Sequence, residues 1–151
     1  MDAARGERQL AVMRWGLVPA WSKDGRAAFN TINARAETVA ASPAFREAFT
    51  RRRFLVPADL FYEWKKLDAK NKQPYGIGLK DRPLFAFAGL WERWHSQGKC
   101  EMLDTYTILT TGANELIGEL AIHDRMPVIL KPSGYGRWLE PGDPEGCPST
   151  C

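Results

Sequence analysis

Between residues 54 and 110 the chain repeats runs of aromatic and β-branched residues, and this pattern restricts its fold more than any other feature. Residues 54–57, 60–65, 75–79, 84–94 and 105–110 each match a strand, because such side chains suit a pleated, half-buried surface. A polar turn at residues 68–73 separates two of these runs, and residues 10–18 read as an earlier strand entering the turn Val18-Pro19-Ala20-Trp21. Helices are few. Ser42-Pro43 has the form of an N-cap followed by proline at the first helical position. Phe45, Ala48 and Phe49 then share one face of a short helix that ends in Arg51-Arg52-Arg53. Thr111-Gly112 opens a second helix through Leu120, and a third lies near residues 133–139. Many strands with few helices predict an α+β fold with a mixed, barrel-like β core.

A chain of 151 residues suits one domain with a single core. Residues 1–139 read as that domain. Residues 140–151, rich in proline and glycine, read as a turn-forming tail expected to be disordered. Both ends look unfinished, since residues 10–15 enter as a core-type strand with no earlier partner. No apolar run approaches the roughly 20 residues of a membrane span, and residues 1–8 lack an apolar signal core. Cys100, Cys147 and Cys151 are odd in number and lack metal-site spacing, which fits free thiols in a reducing cytosol. The expectation is a cytoplasmic monomer without cofactor or metal.

Charge is unevenly spread. Residues 1–66 carry 12 Lys/Arg against 7 Asp/Glu, a net +5; the remainder carries 9 against 11, a net −2. The basic half also holds Trp15, Trp21, Tyr62 and Trp64. Basic groups among aromatic faces suit a single-stranded nucleic acid, whose bases stack and whose phosphates pair. The plainer alternative makes the arginine run a solvated helix end and the tryptophans core.

Three segments could carry chemistry. Ile122-His123-Asp124-Arg125-Met126-Pro127 sets one of two histidines beside an arginine. Imidazole exchanges protons near neutrality, and guanidinium clamps phosphate or carboxylate. A histidine bonded to Asp124 for structure alone is the alternative. In Phe61-Tyr62-Glu63-Trp64, strand alternation puts Phe61, Glu63 and Lys65 on one face, Tyr62 and Trp64 on the other. A carboxylate desolvated beside Phe61 is a plausible acid/base, unless Glu63 pairs with Lys65 or another basic group. In residues 31–38, Asn33 can orient an amine, and Arg35 can clamp a phosphate or hold Glu37. That stretch alone could equally be a helix start.

Taken in order, Met13 to Trp21, Asn33 to Thr38, Val56 to Asp59 with Phe61 to Trp64, Phe87 to Trp91, Thr107 to Thr111 with Ala113-Asn114, and Ile122 to Pro127 resemble the SRAP family of SOS response-associated peptidase-like proteins. The resemblance spans about residues 10–138. It implies an abasic-site sensor of the DNA-damage response with self-processing peptidase activity. Such proteins attach covalently to abasic sites in single-stranded DNA. An N-terminal cysteine condenses with the opened sugar to give a thiazolidine. By resemblance, Asn33 positions the terminal residue, Glu63 is the acid/base and His123 assists proton transfer. Arg35 and Arg125 hold phosphates, while Trp15, Pro19, Trp21 and Trp64 lie in segments lining the DNA groove.

The departure lies at the nucleophile. The sequence reads Met1-Asp2, and no Met-Cys-Gly-Arg-like stretch occurs in it. A thiazolidine needs a 1,2-aminothiol, and the nitrogens of Cys100, Cys147 and Cys151 are all in peptide bonds. The expectation is a partial SRAP-like domain, incomplete at the N-terminus and at the C-terminus after Leu139, unable to crosslink unaided. The alternatives are a non-covalent single-stranded DNA-binding module or an inactive fragment or paralogue; Schiff-base chemistry at the Met1 amine is a weaker variant. An unrelated peptidase is disfavoured by the absence of Gly-x-Ser-x-Gly and His-Glu-x-x-His motifs.

Overall fold

A computed structural model of the protein describes residues 8–26, 29–96, 100–120, 124–140 and 142. In chain order its elements are β1 (Arg14–Trp15), β2 (Asn33–Arg35), α1 (Arg46–Arg51), β3 (Arg53–Ala58), β4 (Phe61–Lys66), β5 (Lys72–Ile77), β6 (Phe85–His95), β7 (Met102–Gly112), α2 (Glu115–Leu120), β8 (Arg125–Pro127), β9 (Ile129–Leu130) and α3 (Tyr135–Leu139). The α+β expectation holds. Seven strands form one mixed sheet around β7 and β6, while β4 and β5 form a separate antiparallel hairpin.

β7 is the organising strand. It takes β1 and β2 in parallel, and β6 and β8 antiparallel. β6 and β7 pair from His95↔Met102 to Gly89↔Ile108 and then diverge. The segment 125–130 enters the gap: β8 joins β7, and β9 joins β6. Val128 bridges both strands, its N–H donating to Leu109 O at 2.9 Å and its carbonyl accepting from Ala88 N at 2.9 Å. Among the described residues the sheet stays open, so the barrel-like expectation gives way to a split sheet.

Alternation along β7 separates two apolar clusters. Leu109 packs with Leu17, Ala34, Leu90, Val128, Leu130 and Trp138 on one side. Ile108 packs with Phe85 and Phe87 on the other, with Phe61, Tyr106 and Ile129 against them. The rings of Phe87 meet Phe61 and Phe85 nearly edge-on, at 5.8 and 5.3 Å.

Several boundaries differ from expectation. The strand expected over residues 10–18 shrinks to Arg14–Trp15, because residues 8–12 are exposed and find no ladder. Thr111 and Gly112 close β7 instead of opening a helix. The helix starts at Glu115, where Asn114 Oδ1 accepts from Ile117 N at 3.0 Å. Ser42 starts α1's approach through its backbone carbonyl, which accepts from Phe45 and Arg46, with no side-chain cap. Residues 33–35, compatible in sequence with a helix start, form strand β2, drawn out by pairing with β7. β5 begins at Lys72, inside the expected turn, which is pinched to Asp68–Asn71 by hydrogen bonds to Asp68. The arginine run is not simply solvated: Arg53 is buried under Trp138, 5.2 Å from its ring, and Arg52 meets Glu92 at 2.6 Å. In the expected tail, Gly142 N donates to Thr50 O at 3.0 Å and Glu140 O accepts from Arg53; residues 141 and 143–151 lie outside the described residues. No helix among the described residues is long and apolar enough to cross a membrane.

Candidate active site

Sheet register builds the site on one face of β7. Trp15 sits opposite Tyr106, Asn33 opposite Ile108, Arg35 opposite Thr110, and Arg125 opposite Gly112. Paired strand residues point to the same side, and so do alternate residues along a strand. Short strands from three distant parts of the chain therefore present Trp15, Asn33, Arg35 and Arg125 side by side. Ala34, between Asn33 and Arg35, turns into the core instead.

The hairpin closes the site. Phe61 packs on Phe87, which brings β4 over the open end of the sheet. A cleft of about 670 Å³ results, lined by Trp15, Asn33, Arg35, Phe61, Tyr62, Glu63, Phe87, Ile108, Thr110 and residues 124–127. Its floor is the outer side of the Phe87–Ile108 cluster, and its rim is polar. Glu63 is half-buried, between the exposed Tyr62 and Trp64, as strand alternation requires.

Arg125 is the most constrained cation at the site. Its Nε donates to Thr110 Oγ1 at 3.2 Å, and Nη2 donates to Thr110 O at 2.6 Å and Glu37 Oε2 at 2.8 Å. The hydrogen bond from Arg125 holds the Glu37 carboxyl below the usual carboxylate range. Glu37, a candidate partner for Arg35 by sequence, is bound to Arg125 instead. Trp15 is equally defined: its Nε1 donates to Ile32 O at 2.7 Å, and its ring stacks on Tyr106 at 6.3 Å and 10°. It is 51% exposed, so surface remains for a ligand. Burial pushes the Tyr106 hydroxyl pKa up. Among the described residues no group of three or more His, Cys, Asp or Glu side chains could hold a metal ion.

The profile of the SOS response associated peptidase (SRAP) family matches residues 1–148. The chain belongs to the SRAP family. It is 50% identical over 133 residues to the abasic site processing protein YoqW of Bacillus subtilis, covering 88% of this chain and 58% of that one. It is 35% identical over 162 residues to the abasic site processing protein HMCES of Gallus gallus, covering 92% and 47%. A crystal structure of a Bacteroides thetaiotaomicron protein superposes with a TM-score of 0.82 at 34% identity, over 89% of this chain and 61% of that chain. The SRAP chain thus spans between about half and three-fifths of the length of these relatives.

Of the residues singled out in the sequence, Trp15, Asn33, Arg35, Glu63 and Arg125 line the SRAP chain's cleft together. Trp64 and Trp21 are exposed but do not line it; Pro19 is buried. Trp21 is carried on a loop anchored by Trp94, whose Nε1 donates to Ser22 O at 2.7 Å. Gly25, at φ 65°, lets that loop press on the Trp94 ring, where a Cβ would lie 2.8 Å away. His123 lies outside the described residues. Its neighbours Asp124 and Arg125 line the cleft, and Asp124 O accepts from Ala113 N at 2.8 Å. Sequence reading did not single out Thr110, whose hydroxyl and carbonyl hold Arg125. Nothing in a Thr-rich strand marks one threonine as an anchor; only the register with β8 does.

Proposed function

We propose that this chain forms the recognition and acid/base part of an abasic-site processing protein acting on single-stranded DNA. The observation that carries the reading is the convergence of Asn33, Glu63, Arg35 and Arg125 on one cleft beside the exposed face of Trp15. Two guanidiniums suit the phosphates flanking a missing base, and an indole face suits stacking by a neighbouring base. The space left by the absent base gives the sugar access to a half-buried carboxylate. There Glu63 passes a proton from the C1 hydroxyl to the ring oxygen as the C1–O ring bond breaks, opening the hemiacetal to the aldehyde. Asn33 orients the attacking amine through its amide, and His123 assists proton transfer. The names of the relatives, abasic site processing proteins, support the same substrate.

Covalent capture as a thiazolidine draws on a 1,2-aminothiol, and none of the three cysteines of this sequence has a free amine. The test uses two oligonucleotides: one with a tetrahydrofuran abasic analogue, which lacks an aldehyde, and one with a true abasic site. The polypeptide of these residues binds the analogue more tightly than an intact strand. Affinity falls with salt at a log–log slope of at least about 1.4, which is two phosphates at about 0.7 each. With the true abasic site it forms no heat-stable crosslink. A flat salt response sinks the phosphate assignment, and a heat-stable crosslink refutes the need for an aminothiol.

A second reading, non-covalent binding of single strands, is favoured by the exposure of Trp21 and Trp64 outside the cleft, at 68% and 49%. It calls for equal affinity for intact and abasic strands.

A further inference from the structure

We propose that Glu37 is a positioning residue that fixes the guanidinium of Arg125 so that its Nη1 edge is presented to a DNA phosphate. The inference rests on the reading of the cleft as a DNA site. It assigns a role to a residue that does not itself line the cleft.

The geometry is specific. Of the five N–H groups of Arg125, three are committed: Nε to Thr110 Oγ1, and Nη2 to both Thr110 O and Glu37 Oε2. Among the described residues, neither N–H of Nη1 has a partner. Thr110 holds the guanidinium from the β7 side, and Glu37 holds it from the turn after β2. Between them they remove the rotational freedom of a long side chain whose head is planar and forked. A guanidinium fixed before binding loses less entropy when a phosphate arrives.

Arg35 provides the contrast. It lines the same cleft, yet no hydrogen bond or ion pair holds it among the described residues. Glu37 lies two residues from Arg35 but ties down the arginine 88 positions away. One arginine thus offers its charge without a tether among the described residues, and the other is held for directional hydrogen bonding.

The role has a sign that separates it from plain electrostatics. A carboxylate beside an anion site repels phosphate, so on charge alone its removal tightens binding. If Glu37 positions Arg125, its removal weakens binding in spite of the lost negative charge.

The experiment measures affinity for the tetrahydrofuran-containing single strand in the wild type, Glu37→Gln, Arg125→Ala and the double variant. Glu37 is exposed in a turn, and Gln keeps its shape, so the fold is preserved; thermal melting checks this. The expected result is about a fivefold loss for Glu37→Gln, the upper range for a pair of this exposure. No further loss is expected when it is added to Arg125→Ala. Equal or tighter binding by Glu37→Gln overturns the proposal, as does full additivity. A wild type that does not bind the strand overturns the DNA reading itself. In that case the Arg125 Nε–H resonance, identified by its loss in Arg125→Lys and read without DNA, isolates the tether. A resonance as sharp in Glu37→Gln as in the wild type shows that Glu37 does not fix Arg125.

Discussion

Trp15 shows how much a single side chain depends on its surroundings. Its indole is fixed by the hydrogen bond to Ile32 O and by stacking on Tyr106. Tyr106 is itself wedged edge-on against Phe54 at 5.6 Å. A platform held this way offers a base a flat partner that needs no rearrangement. Trp15→Ala is expected to weaken single-strand binding by about 1–3 kcal/mol, the worth of one stacked base. Unchanged affinity in a fluorescence anisotropy titration would remove Trp15 from the interface. At this scale the sequence supplied the chemical inventory: Asn33, Arg35, Glu63 and Arg125 were legible as polar groups in motif-like segments. Their partners were not, because hydrogen bonds such as Arg125–Glu37 join residues far apart in the chain. Arg53 makes the same point: within an arginine run it reads as solvated, yet it lies under Trp138.

Among the elements, the divergence of β6 and β7 sets the position of the site. Beyond Gly89 and Ile108 the two strands part, and β8 and β9 fill the gap, which delivers Arg125 to the cleft. Gly89, at the point of divergence, has no room for a side chain because the Phe54 and Val56 side chains of the paired strand β3 fill the space over it. A Cβ there would lie 2.5 Å from Phe54 and 2.7 Å from Val56. Gly89→Ala is expected to destabilise the fold by about 1–3 kcal/mol through overpacking, read by urea unfolding. A neutral effect would mean that β3 can move aside. The long strands and the β4 hairpin were legible from residue type, since aromatic and β-branched runs favour strands in most contexts. β2, β8 and β9 were not, because three- and two-residue strands have no periodicity to read. They are extended only because β6 and β7 supply a ladder.

Across the whole molecule, stability in acid depends on carboxylates paired in the folded state. Asp104 on β7 accepts both Arg93 hydrogen bonds from β6, at 2.7 and 2.8 Å. That pairing holds its carboxyl below the usual range. A folded-state pKa below the unfolded one gives stability that is present above the unfolded value and lost as pH falls through the folded one. The stability gap between wild type and Asp104→Asn is therefore expected to be constant from about pH 8 to pH 5 and to close below about pH 4. Thermal melts across that range measure it, and a gap that persists in acid would contradict the assignment. Glu92 behaves oppositely: burial raises its pKa, although Arg52 beside it pulls the other way. By itself the sequence determined the α+β class, the main strands, the basic aromatic half and the SRAP-like order of motifs. These follow from local propensity and from residue types in a fixed order. Only the tertiary structure decided that the sheet splits instead of closing, that Pro19 is buried, and that Glu37 serves Arg125 rather than Arg35. Those outcomes depend on register between strands distant in the chain, and a shift of one residue would turn every side chain to the other face.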